Sequence, residues 1–194
     1  MTLPYKFLAV DVDGTLVNSS NELPEENRRA MHHAHEAGMK VCLCTGRSLS
    51  ETWQVIHGLG LDSDVGVFVF GAIVSELPEG RTLYRTAIDP ELTRRISDFF
   101  HAEGFPILFC LDGWQQNPEF RLLPGTKHKA AIDHWRSQTP TPVVDLEAGE
   151  DIPSEVVRIG ALDDPGHFEK TLAKLYENFT AEEVKCNAIF APNY

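Results

Sequence analysis

The segment Phe7-Leu8-Ala9-Val10-Asp11-Val12-Asp13-Gly14-Thr15-Leu16-Val17 opens with four apolar residues. It then sets two carboxylates one residue apart, followed at once by glycine. An unbroken apolar run of this length is the pattern of a strand covered on both faces. In an open parallel sheet, ligands bind beyond the carboxyl ends of the strands. Asp11 falls at that end, and Asp13 lies in the turn that Gly14 permits. Two carboxylates so close repel each other unless a cation or a shared proton compensates. Mg²⁺ is the natural cation, because it takes hard oxygen ligands and engages one or two carboxylates together with water and phosphate.

Beyond this segment the chain alternates strand and helix. Residues from Pro24 to Ala37 read as a helix that Gly38 ends, and Val41–Cys44 as a second strand closed by Thr45-Gly46-Arg47. A second helix runs through Leu49, Trp53 and Ile56, with Ser48 or Ser50 as its N-cap and glycines at 58 and 60 near its end. Val65–Phe70 is the third strand. This order begins a doubly wound α/β parallel sheet with right-handed crossovers. Past residue 80 the pattern changes. Strands are expected at Thr82–Ile88, Pro106–Leu111, Phe120–Leu123, Val156–Leu162 and Glu183–Phe190, and helices at Pro90–Glu103, Thr126–Ser137 and Phe168–Phe179. The Pro-rich Thr139–Pro142 and the acidic Asp145–Asp151 read as surface loops.

The acidic pair suits phosphoryl transfer through a covalent intermediate. Asp11 would be the nucleophile. Asp13 would be general acid for the leaving alcohol and then general base for the attacking water. Mg²⁺, held by Asp11 and Asp13, would offset the repulsion between carboxylate and phosphate. Thr45 offers a hydroxyl to the phosphoryl oxygens, Gly46 allows close backbone approach, and Arg47 pairs with substrate or braces the second unit. A lone Asp-Gly-Thr is an ordinary turn. The preceding strand, the second Asp and the later Thr-Gly-Arg raise this one above that.

Asp-x-Asp-Gly-Thr-Leu-Val after an apolar strand, with Thr-Gly-Arg about thirty residues on, resembles the haloacid dehalogenase superfamily. Phe70-Gly71-Ala72-Ile73-Val74 looks like the position where its Cof-type members often have Asn-Gly-Ala. The resemblance implies a core formed in part by residues 1–80 and an inserted α+β type IIB cap over residues 81–194. It also implies a small phosphorylated metabolite, such as a sugar phosphate, as substrate. Phe70 replaces the common Asn and is expected to face the core. Two further family motifs, a Lys and a Gly-Asp followed by another Asp, are absent from the sequence. Lys127, Lys129, Lys170, Lys174 and Lys185 all fall in the cap region. The core is therefore expected to be incomplete and the isolated chain nearly inactive. The first strand would then be a bare apolar edge, a route to self-association. The competing classes are a non-catalytic phosphate-binding module, a half-enzyme completed by a partner segment, and a phosphomutase. A receiver-like domain is disfavoured because its acidic pair and phosphorylation site lie on different strands.

Composition narrows the partners. The chain has 194 residues, 42% hydrophobic, with a formal net charge of −12. That balance opposes binding to nucleic acid or anionic membrane, and no apolar run nears the ~18–20 residues of a membrane span. Cys42, Cys44, Cys110 and Cys186 lack metal or redox spacing and read as buried and reduced, which suggests a cytoplasmic compartment. His32, His33 and His35 read as a solvated helix face. Asp112, Trp114, Gln115 and Gln116 read as a cap loop, a candidate for substrate choice.

Overall fold

The computed structural model describes residues 5–61, 65–115, 117–139, 141–147, 149–163 and 167–186. The first five strands are β1 (Phe7–Asp11), β2 (Lys40–Cys44), β3 (Val65–Phe68), β4 (Ile73–Glu76) and β5 (Thr82–Arg85), and they form one sheet in that order. β1, β2 and β3 are parallel, as the strand–helix alternation requires. β4 and β5 run antiparallel, so the sheet is mixed rather than wholly parallel, and it extends past residue 80. The crossover helices are α1 (Glu25–Glu36) and α2 (Leu49–Leu59). Successive right-handed crossovers in one direction put both helices on the same face. The His32 imidazole accordingly meets the Leu59 carbonyl at 2.7 Å. His32 thus ties α1 to α2, whereas the sequence placed it on a solvated face.

Local chemistry explains the α2 boundaries. Ser48 caps the helix in a reciprocal box: its hydroxyl accepts from the Glu51 N–H at 3.3 Å, and its own N–H donates to the Glu51 carboxylate at 2.7 Å. Gly60 ends it in the left-handed conformation. β1 is the edge strand among the described residues, and Phe7 is 56% exposed. The expectation that both its faces are covered is not met here.

The second sheet holds β6 (Ile107–Cys110), β7 (Phe120–Leu123), β8 (Val143–Asp145) and β9 (Arg158–Ala161), in the order β8-β7-β6-β9. β6 is central and buried at every position, the reason it reads as an unbroken apolar run. Its side chains alternate between two cores. Ile107 and Phe109 pack with Ile96 and Phe100 of α3 (Pro90–Ala102) and Leu175 of α5 (Phe168–Asn178). Leu108 and Cys110 join Phe120, Leu122 and the first-sheet core, with Trp135 of α4 (Lys129–Gln138) against them. β8 forms between the two stretches read as surface loops and takes in Asp145 of the second, pairing parallel to β7. Glu183–Cys186 are not a strand, and the rest of that expected element lies outside the described residues, as does Gln116. No helix of the described residues is long and apolar enough to cross a membrane.

Candidate active site

The carboxyl ends of the three parallel strands share one row. The register sets Asp11 beside Cys44, and Cys44 beside Val67. A cleft of about 350 Å³ opens over this row, lined by Asp11, Cys44, Thr45, Gly46, Val67, Phe70 and Gly71. Three of the five sequence-derived site residues, Asp11, Thr45 and Gly46, therefore meet in one place. Asp11 is exposed there, and one carboxylate oxygen accepts the Val12 N–H at 2.8 Å. The Thr45 hydroxyl accepts the Arg47 N–H at 3.1 Å, which fixes it at the start of the loop.

Asp13 and Arg47 pair with each other beside the cleft and are not among its lining residues. Arg47 Nε lies 3.2 and 3.0 Å from the two Asp13 oxygens, and Nη2 lies 2.5 Å from Oδ1. Nη2 also donates to Asn21 Oδ1 at 2.7 Å. This fork occupies both edges of the carboxylate.

Among the described residues, no three or more His, Cys, Asp and Glu side chains come together to hold a metal. An exposed carboxylate at the mouth of an open cleft nevertheless suits Mg²⁺, which takes few protein ligands and completes its shell with water and phosphate.

Residues 8–190 match the family described as haloacid dehalogenase-like hydrolase. The chain belongs to that family. It is 31% identical over 100 residues to phosphatase YwpJ of Bacillus subtilis (strain 168), covering 52% of this chain and 34% of that protein. It is 31% identical over 94 residues to the 5-amino-6-(5-phospho-D-ribitylamino)uracil phosphatase YwtE of the same organism, covering 48% and 32%. The matched stretches thus span about a third of the length of these two relatives. The crystal structure of TM0651 from Thermotoga maritima superposes with a TM-score of 0.70 at 20% identity, over 91% of this chain and 63% of that one. The subclass IIB sugar phosphatase BT4131 gives 0.64 at 20% identity, over 87% and 62%. Both show a shared fold.

The second sheet reaches the Thr45-Gly46 loop through Arg158, whose Nη1 donates to the Gly46 carbonyl at 3.0 Å. Its Nη2 lies 3.5 Å from Glu51, and the guanidinium sits 5.8 Å from the centre of the Phe120 ring. Next to it, Glu119 is 5% exposed and takes hydroxyl donations from Ser48 at 3.2 Å and from Ser50. Burial, reinforced by the charge of Glu51, pushes its carboxyl up to about 7 against the pull of the two hydroxyls and Arg158. Neither residue was singled out from sequence, because each acquires its role from a segment far along the chain.

The remaining expectations divide. Asp112 is buried; it accepts the Thr82 hydroxyl at 2.9 and 2.8 Å, which ties its loop to β5, and the Trp114 N–H at 3.2 Å, which shapes the turn; Trp114 is 50% exposed. Cys42 and Cys110 are buried, and burial pushes both thiols up to about 12; Cys42 is pushed further by Cys44, 3.8 Å away. Cys44 is half-buried and Cys186 exposed, a correction to the reading of four core cysteines. Phe70, expected in the core, is 60% exposed.

Proposed function

We propose that this chain carries the nucleophile and phosphate loop of a phosphoester hydrolase acting on small phosphorylated metabolites. The observation that carries the reading is the shared cleft: an exposed Asp11 at the end of a parallel strand, beside the Thr45-Gly46 loop. Asp11 attacks phosphorus, a P–O bond forms, and the bond to the leaving oxygen breaks. That oxygen takes a proton from Asp13 after Arg47 lets go. Water then gives its proton to Asp13, attacks phosphorus and frees Asp11, releasing phosphate. Thr45 and the backbone at Gly46 bind and orient the phosphoryl oxygens. Asp11, with Asp13 once it is released, would hold Mg²⁺, which supplies charge neutralisation between carboxylate and phosphate. The unit built on the second sheet, which follows β5, acts as the cap that closes on the leaving group, with Arg158 and Glu119 as its inner contacts.

The test is covalent capture. The chain is mixed with acetyl phosphate and Mg²⁺, quenched in acid, and its peptides are analysed by mass spectrometry. One phosphoryl group on Asp11, lost in Asp11→Asn, is the expected result. A label on another residue, or none, overturns the reading. A second reading, phosphate binding without turnover, draws on the Arg47 fork that engages Asp13. Phosphate binding by calorimetry with no phosphoenzyme would select it.

A further inference from the structure

Phe70 occupies a position its backbone does not favour. Val69 and Phe70 both have positive φ, 50° and 55°, where a β-branched or bulky side chain is a rare outlier. Asn or Gly would adopt that conformation easily. The ring is nevertheless held. The Phe70 N–H donates to the Thr45 carbonyl at 3.3 Å, and the Val69 N–H to the Arg47 carbonyl at 2.9 Å. One side of the ring lies so close to Gly46 that a β-carbon there would sit 2.5 Å from two of its atoms. The Gly46 carbonyl in turn accepts from Arg158 at 3.0 Å. The ring is therefore clamped against the phosphate loop while 60% exposed, and it lines the same cleft as Asp11 and Thr45.

An apolar ring at the end of a strand normally goes inward. Here two strained residues turn it outward, and the glycine under it leaves room for nothing larger. Strain kept at one place, beside a candidate nucleophile, points to a binding role. We propose that Phe70 is a stacking platform that selects phosphate esters whose leaving group is a flat aromatic ring. This rests on the reading of the cleft as a phosphoryl site. The clamped ring offers a π-face to a planar group one bond or two from the phosphate, whereas a bulky aliphatic group cannot match its flatness.

The experiment measures binding, so it does not require turnover. Calorimetry with Mg²⁺ compares benzylphosphonate with cyclohexylmethylphosphonate, which share the acidic group. The cyclohexyl compound is the more apolar, so a merely greasy patch would favour it. The expected result is a preference of about 2- to 10-fold for benzylphosphonate. That preference should vanish in Phe70→Ala and Phe70→Leu and return in Phe70→Trp. Equal binding of the two, or the reverse order, overturns the platform while leaving the phosphoryl site intact. A benzyl preference that survives Phe70→Leu assigns it to another residue and overturns the proposal too. If inorganic phosphate and both phosphonates fail to bind, the phosphoryl-site reading falls and the platform with it. The melting temperature of each variant separates lost binding from lost fold.

Discussion

Glu119→Gln should stabilise the protein by an amount that grows from pH 4.5 upward and levels off above pH 7. The wild-type carboxyl is buried at the junction of the two sheets, with one oxygen on the Ser48 and Ser50 hydroxyls and the other lacking a partner among the described residues. Its pKa rises from 4.5 to about 7, chiefly because burial penalises the charged form. In the unfolded chain the group ionises near its ordinary value. Between pH 4.5 and 7 the folded state keeps a proton that the unfolded state has lost, so stability falls as pH rises through that window. The full cost is present above pH 7, and at 1.36 kcal/mol per pH unit it comes to about 3 kcal/mol. That shift is already net of the serine hydrogen bonds to the ionised form, so Glu119→Gln should gain about 3 kcal/mol at pH 8 and almost nothing at pH 4. With ~2–4 °C per kcal/mol for a chain of this size, the melting temperature at pH 8 should rise by about 6–12 °C. Urea unfolding of both proteins at pH 4, 6 and 8 makes the measurement. A difference that stays constant across the three pH values would refute the reasoning, because it would mean that Glu119 does not titrate between them.

Gly46→Ala places a methyl 2.5 Å from the Phe70 ring and should cost about 1–3 kcal/mol in thermal unfolding. Combined with Phe70→Ala, much of that loss should disappear; strict additivity of the two would show that the ring does not rest on Gly46. His32→Ala removes the imidazole from the Leu59 carbonyl and should cost about 1 kcal/mol. Amide exchange should then quicken in α2 near Leu59; exchange unchanged there would mean the bond does not hold the helices together.

The parallel half of the first sheet was legible because local pattern suffices for it. Apolar runs bounded by Asp11 and by Thr45-Gly46 can be little else than strands, though β1 proves exposed, and a serine at 48 or 50 marks the start of α2, where the structure selects Ser48. The same logic placed Asp11, Thr45 and Gly46 on one end of the sheet. β4 escaped because Ile73-Val74-Ser75-Glu76 lacks hydrophobic contrast: Ser75 is buried while Val74 is only half-covered. β8 escaped because three residues between a Pro-rich and an acidic stretch carry no usable period. Arg47 was read as pairing with substrate or bracing the second unit, and in this structure its guanidinium holds Asp13; nothing local in the sequence distinguishes these partners.

What stayed hidden has one physical cause. Glu119 is decided by Ser48, 71 positions away, Arg158 by Gly46, 112 away, and His32 by Leu59, 27 away. Period and composition report which face of an element is apolar, but they do not report which polar group will be trapped when two such faces meet. Phe70 is the sharpest instance. Its hydrophobicity argues for the core, and its backbone angles, set by hydrogen bonds to Thr45 and Arg47, put it outside. A residue whose intrinsic preference loses to its tertiary surroundings is where local and global demands conflict, and such conflicts gather at sites of use. By that argument the exposed ring at the cleft and the buried carboxyl at the junction are the two positions most worth perturbing.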